Sequence, residues 1–389
     1  MKWWSKARPQ DFETNMTKIL NKHKQTGAPL KRKVFVAMSG GVDSAVAALL
    51  LLKQGYDVTG AFMVNYEGKN ALGETCWVPD YHEATRVAAK LGIPLMRLDF
   101  KKEYRRDVLE YVKHEYVAGR TPNPDVMCNR FVKFGAWLNK AKALGFDFLA
   151  TGHYAKVKAV KGKYLLLEAK DKNKDQTYFL HQLDQKQLSY TLFPLGDLTK
   201  AEVRKLAKKN KLPNAEREES MGICFVGEVS MKDFLQNELK IKARPGKIIL
   251  GSGEVVGQHT GLPFYTMGQR EQLGISLEGK KKLGNQALYV VDKIIKKNEL
   301  VVGGEDDPRL FKEAANVAEI NWITGQEPVL PLKCEVRLRH RQTLHKCTVR
   351  ASDRRGYIIK FTEPERAVTP GQFAVFYKKG VCLGGGVIQ

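Results

Sequence analysis

The sequence predicts an α/β protein: a parallel sheet wrapped by helices, then two smaller β-rich modules, the last of them a β-barrel. Three observations carry this. From Val34 to about residue 155, short apolar runs alternate with helix-length amphipathic stretches, the pattern of parallel strands joined by crossover helices. Beyond about residue 243 the alternation stops, and short strands with glycine turns take over. From Cys334 onward hydrophobicity has period two, as in "CEVRLRHRQTLHKCTVR" and "QFAVFY", which reads as half-buried antiparallel strands.

The elements follow in order. "VFVAM" is a buried strand, "SGGVD" a glycine turn, and Ser44 to Gln54 a helix stopped by Gly55 in the usual C-terminal position. "DVTGAFMVNY" is a second strand, Tyr81 to Lys90 a helix closed by "LG", "PLMRLDF" a third strand, and Lys101 to Val117 another amphipathic helix. The loop "RTPNPDVMCN" precedes a helix running to Leu144, and "FDFLATGHY" is the fourth strand. "YAKVKAVKGKYLLLEAK" alternates about "KGK" as a hairpin. Thr199 to Lys211 is a lysine-rich helix, with Thr199 and Glu202 at the spacing of a capping box. The expected division is a basic extension at 1–33, an α/β domain at 34–242, a central β-rich domain at 243–310 and a β-barrel at 311–389.

Charge points to a partner. The chain holds 65 Lys and Arg against 42 Asp and Glu, a net +23, and residues 1–33 hold nine basic against two acidic side chains. That surplus favours a polyanion, and nucleic acid is the usual one. No apolar run approaches the roughly 18 residues that cross a bilayer, and the N-terminal stretch has no apolar core of a secretory signal. A cytoplasmic, membrane-independent protein is expected. The six cysteines show no CxxC and no even spacing, which excludes a disulfide framework and a zinc ribbon. A cysteine that matters here is catalytic or redox-active.

"MSGGVDS" (Met38 to Ser44) lies between the first strand and the first helix. Adjacent glycines admit close approach of a ligand, and the helix start offers N–H groups and its positive dipole end to an anion. Ser39 and Ser44 add hydroxyls, and Asp43 is the candidate magnesium ligand. The string is neither GxxxxGK[ST] nor GxGxxG. Cys128 is open to two readings: a small buried hydrophobe, or a thiol activated by the following helix with its Arg130 and Lys133.

SGGxDS directly after a buried strand resembles the PP-loop of ATP pyrophosphatases. The strings "AMSGGVDS", "FMVNY", "TPNPDVMCN", "TGHYA", "KDQTYFL", "GICFVG", "HTGLPFYTMGQR" and "PGQFAVFY…CLGGG" occur in order and together resemble the tRNA-specific 2-thiouridylases. The resemblance runs from about Val34 to the C-terminus. It implies ATP, with Mg2+, held by Ala37, Met38, Ser39, Gly40, Gly41, Val42, Asp43, Ser44 and Met63, with Gly152 at the adenine or ribose end. It implies a tRNA substrate whose wobble uridine meets Asn123, Pro124 and Asp125, the last a candidate acid or base. Contacts to the rest of the tRNA are implied for His153, Lys174, Asp175, Gln176, Arg339, His340 and Gln372. Cys224 would carry a persulfide received from a sulfur-relay protein and attack C2 of the adenylylated uridine. Cys128 would then open the persulfide, leaving a transient Cys128–Cys224 disulfide. Met221 and His340 depart from the family pattern, which has an aromatic residue at the place of His340. A monomer is expected. Two other readings stand beside this one: a PP-loop ligase forming a C–N bond, whose ammonia-generating domain or amino-acid site is not seen in the sequence, and a non-catalytic RNA-binding protein.

Overall fold

The computed structural model describes residues 31–68, 75–218, 233–282, 284, 286–352 and 356–389. The basic extension, apart from residues 31–33, and Cys224 with its "GICF" motif lie outside the described residues.

The chain enters through β1 (Lys33–Ala37), whose Val34, Phe35 and Val36 are wholly buried. Helix α1 (Val42–Lys53) follows, then β2 (Asp57–Val64), α2 (Val78–Leu91) and β3 (Leu95–Asp99). Gly55 at φ +85° and Gly92 at φ +67° close the two helices, the left-handed stop that glycine makes without steric cost. A helical run over 101–117, α3, is wound as a π-helix over Arg105–Leu109. A second run over 124–143, α4, is π-wound over Cys128–Trp137.

Strand β4 (Phe148–Ala150) returns to the other side of β1. The predicted hairpin is present as β5 (Lys156–Val160) and β6 (Lys163–Leu167). Short helices α5 (Thr177–Leu180) and α6 (Gln185–Ser189) lead to the two-residue strand β7 (Thr191–Leu192) and to α7 (Lys200–Lys209). The capping box is formed: the Thr199 hydroxyl accepts from Glu202 N, and the Glu202 carboxylate accepts from Thr199 N.

The first sheet has order β3-β2-β1-β4-β7 and is parallel throughout. It holds five strands where the sequence suggests four, because a strand of two residues carries no periodicity. The order reverses at β1, so the C-terminal ends of β1 and β4 flank the crevice in which α/β sheets bind ligands.

The central module is a four-stranded sheet of β8 (Gly246–Leu250), β9 (Val255–His259), β10 (Tyr289–Ile294) and β11 (Glu299–Gly303). The last module comprises β12 (Phe311–Trp322), β13 (Leu332–Arg337), β14 (His345–Ala351), β15 (Tyr357–Arg366), β16 (Phe373–Lys378) and β17 (Val381–Ile388). These six run in order β12-β15-β14-β13-β16-β17, and pairing of β12 with β17 closes them into a barrel. The β5–β6 hairpin does not extend the parallel sheet. It joins the barrel sheet, β6 pairing with β17 through Leu166–Cys382 and Leu167–Val381.

Candidate active site

The phosphate loop turns on Gly40, at φ +78°. A side chain there would also meet the Asp80 carbonyl at 2.5 Å, so only glycine fits. The Gly40 carbonyl is held by Asn214 Nδ2 (2.8 Å) and Arg217 (3.3 Å), and Arg217 is anchored by Asp80. Ser44 Oγ accepts from Ser39 N at 3.2 Å and donates to the Gly41 carbonyl at 2.9 Å, which folds the loop onto the start of α1. Ala37 ends β1, Met38 and Val42 are buried, and Met63 packs at the end of β2.

Gly152 follows β4 and packs against the loop itself. A Cβ on it would lie 2.8 Å from both the Asp43 carbonyl carbon and Ser44 N. Asp43, in the first turn of α1, accepts from Lys200 at 2.7 and 2.8 Å and from the Tyr154 hydroxyl at 2.9 Å. Both of its oxygens are thus occupied by protein donors, and among the described residues no group of three His, Cys, Asp or Glu is arranged to hold a metal. In this structure Asp43, the magnesium ligand expected from the sequence, is the ion-pair partner of Lys200.

A second cavity lies between the modules. It has a volume of about 410 Å³ and is lined by Pro122, Asn123, Pro124 and Asp125, by Phe179, by Thr266, by Arg339 and His340, and by Gln372. Five separate stretches of chain and all three modules therefore converge on it. Asn123 caps α4 through its side-chain oxygen, and Pro124 occupies the first turn, where its missing N–H costs nothing. Gln372 fixes this corner, donating to the carbonyls of Thr121 (3.0 Å) and Pro122 (3.1 Å) and accepting from Asn123 Nδ2 (3.3 Å). Arg339 donates to the Met267 and Ala367 carbonyls and to Thr369 Oγ1 at 2.9 to 3.1 Å. His340 lies with its ring centroid 4.5 Å from that of Phe179. Burial first, then the neighbouring Arg341, Arg337 and Lys174, pull its pKa down to about 4. It is a neutral aromatic surface at physiological pH and keeps the aromatic character of the family position.

Asp125, half-buried, has its carboxyl pKa raised by burial against a smaller lowering by Lys133, which moves it toward the range of a general acid or base. Cys128 is one turn further along α4 and is buried in the core with Val126, Met127 and Val132. The sequence places it just before a helix. The structure places it inside one, beyond the first turn where the helix dipole acts on a side chain.

Of the residues expected at the tRNA surface, Asp175 is buried, and His153 and Gln176 are partly exposed and engaged by protein partners. Asp175 is 1 % exposed and accepts from Ala169 N, Thr177 and Arg337, so direct contact with tRNA does not fit its burial. His153 is hydrogen-bonded to Thr151 at 2.6 Å and lies against Phe134 and Phe193. Burial, with a contribution from Lys133, keeps its pKa well below the ordinary value. Gln176 uses its side-chain oxygen on Tyr154 N. Lys174 is partly exposed on the same turn. The sequence reading missed Phe179 and Thr266 in the cavity and Lys200, Tyr154, Asn214 and Arg217 at the loop. Phe179 and Thr266 fall within strings already singled out, "KDQTYFL" and "HTGLPFYTMGQR", whereas nothing local marks Asn214 or Arg217.

A family model described as tRNA methyl transferase HUP domain matches residues 32–228. Models described as tRNA methyl transferase PRC-barrel domain and aminomethyltransferase beta-barrel domain match residues 232–304 and 312–388. The tRNA-specific 2-thiouridylase MnmA of Shouchella clausii is 47 % identical over 92 % of this chain and 96 % of its own length. The Pseudomonas fluorescens protein of the same name is 46 % identical over 92 % and 95 %. A solved complex of a 4-thiouridine synthetase with RNA and ATP shares 18 % identity and a TM-score of 0.34 over 48 % of this chain and 43 % of that one, too slight a likeness to bear on the assignment. With near-complete coverage at almost half identity, the chain belongs to the tRNA-specific 2-thiouridylase family.

Proposed function

We propose that this protein is an ATP-dependent tRNA sulfurtransferase that replaces O2 of the wobble uridine with sulfur, releasing AMP and pyrophosphate. The observation that carries the reading is the convergence of Asn123, Pro124, Asp125, Arg339, His340 and Gln372, from different modules, on one cavity large enough to admit a base, whose Asp125 side is one helical turn from Cys128.

The chemistry requires this arrangement. Uracil O2 is a poor leaving group, and transfer of AMP to it from ATP makes it a good one, with pyrophosphate leaving toward the N–H groups of the loop at Gly40–Ser44. Asp125, whose carboxyl pKa is raised by burial, serves as the acid or base at the uridine. A persulfide on Cys224 supplies sulfur: its terminal sulfur bonds to C2, and AMP leaves with the O2 oxygen. The Cys128 thiolate then attacks the Cys224 sulfur. The S–S bond to the transferred sulfur breaks, 2-thiouridine is released, and a Cys128–Cys224 disulfide remains. Reduction of that disulfide by an external thiol and a fresh persulfide from a sulfur-relay protein complete the cycle. Mg2+ would accompany ATP as the counterion of its phosphates.

The proposed division of labour assigns ATP and sulfur chemistry to 34–242 and tRNA positioning to 243–310 and 311–389, with the basic stretch 1–33 as an arm near RNA. No helix among the described residues is long and apolar enough to cross a membrane. A cytoplasmic monomer is part of the proposal. The deciding experiment is mass analysis of wobble uridine from cells lacking this gene, complemented with wild type or Cys224→Ser. Wild type restores 2-thiouridine. Restoration by the serine variant as well would sink the persulfide mechanism, and restoration by neither would sink the function.

A further inference from the structure

The geometry points to Lys200 as the cation of the pyrophosphate site, with Asp43 as the positioning residue that aims it, an inference that rests on the ATP-dependent reading above. Lys200 is the first residue of α7, and its ammonium bridges both oxygens of Asp43 at 2.7 and 2.8 Å. Asp43 belongs to the first turn of α1, where the helix offers its N–H groups to an anion. An unneutralised carboxylate in that position would repel a polyphosphate, and at such short range the repulsion is substantial.

Lys200 removes that repulsion and adds a donor beside the loop. The pair is restrained from three sides. Lys200 N donates to Asp171 at 2.9 Å, fixing the start of α7. The Tyr154 hydroxyl holds Asp43 Oδ1, and its ring lies 6.0 Å from the Lys200 ammonium. Gly152 packs its backbone on Asp43 and Ser44, which locks the carboxylate's position. The Lys200 side chain is 14 % exposed and that of Asp43 33 %, so the pair is sheltered but not sealed from solvent. A lysine ammonium has three donors, and sharing one with a phosphate oxygen leaves Asp43 engaged. On this account Asp43 has no direct bond to metal.

The test is equilibrium binding of ATP, inorganic pyrophosphate and adenosine to the full-length protein without tRNA, by calorimetry over a series of Mg2+ concentrations. Lys200→Gln is expected to weaken ATP and pyrophosphate at least tenfold and to leave adenosine within twofold of wild type, which also reports an intact fold. Lys200→Arg, which keeps the charge, is expected to hold both within about threefold. Asp43→Asn is expected to leave the Mg2+ concentration at half-maximal ATP binding unchanged. Wild-type pyrophosphate affinity in Lys200→Gln overturns the assignment, as does loss in Lys200→Arg equal to that in Lys200→Gln. A tenfold higher Mg2+ requirement in Asp43→Asn restores the metal-ligand reading. If the wild-type protein binds neither ATP nor pyrophosphate, the proposed function itself fails, an outcome distinct from equal binding by wild type and variant.

Discussion

His340 shows how a single residue departs from its family pattern and keeps its physical role. Its low pKa, about 4, leaves the ring uncharged, and its contact with Phe179 makes a two-ring face in the cavity. Stacking of a base on such a face is worth about 1–3 kcal/mol. His340→Ala is therefore expected to weaken tRNA binding roughly tenfold, whereas His340→Tyr keeps it, as fluorescence anisotropy would show. The sign of the pH dependence also follows. The ring is neutral above about pH 5, so wild-type binding has no inflection near 6.5; one centred there would contradict the role. At the same scale, Cys128→Ser is expected to abolish 2-thiouridine formation, and Cys382→Ser to preserve it. Cys382 is buried in the sheet shared by β6 and β17, and burial pushes its thiol pKa far above the ordinary value, which suppresses the reactive thiolate. The motif around Cys128 was legible in the sequence. Its place within a helix was not, because Pro124 at the first turn of α4 reads equally as a loop proline.

Among the elements, the first sheet and its helices were legible because apolar runs, glycine stops and the Thr199–Glu202 capping box each act over a few neighbouring residues. The π-wound stretches Arg105–Leu109 and Cys128–Trp137 were not, since a shift from i→i+4 to i→i+5 bonding leaves the apolar pattern of a helix almost unchanged. The spacing between β4 and α1 is likewise a tertiary property, and Gly152 is where it is set. Gly152→Ala places a methyl group 2.8 Å from backbone atoms of Asp43 and Ser44, so the loop or β4 has to shift. Displacement of about 1 Å in a site that works by positioning costs roughly 100-fold in rate. The expected result is a loss of that order in ATP-dependent thiolation, with the unfolding midpoint lowered only slightly. A variant with wild-type kinetics would show that the loop tolerates the shift.

For the molecule as a whole, the sequence divides the chain into modules but not the way they lock. The hairpin β5–β6 is local and was legible. Its partner β17 is more than 200 residues away, and no pattern announces that pairing. Segment 178–183 adds to the lock. Tyr178 donates to the Leu338 and Phe373 carbonyls, Gln182 to the Gly385 carbonyl, and the His181 ring lies 4.9 Å from Phe373. His181 is wholly buried, and burial lowers its pKa to about 4. Its folded pKa is depressed, so the fold favours the neutral ring: this contribution is complete above pH 6.5 and is lost as pH falls from 6.5 to 4. The loss amounts to about 3 kcal/mol, and His181→Gln is expected to flatten it in denaturant unfolding curves taken across that range. A charged tie is made by Arg337 of β13, 6 % exposed, which donates to Asp175 at 3.2 Å and Glu168 at 3.4 Å and lies over the Tyr377 ring. Glu168 and Asp175 precede the barrel by more than 100 residues, so this cluster joins the α/β part of the chain to the barrel that carries Arg339 and His340. Arg337→Met leaves the buried Asp175 without its cation, a defect worth about 3–5 kcal/mol, while Glu168 keeps Lys172. Adding Asp175→Asn removes the stranded charge and is expected to restore most of the loss. If the single variant unfolds at the wild-type denaturant concentration, the cluster does not hold the modules together, and the shared β6–β17 edge has to do so without it.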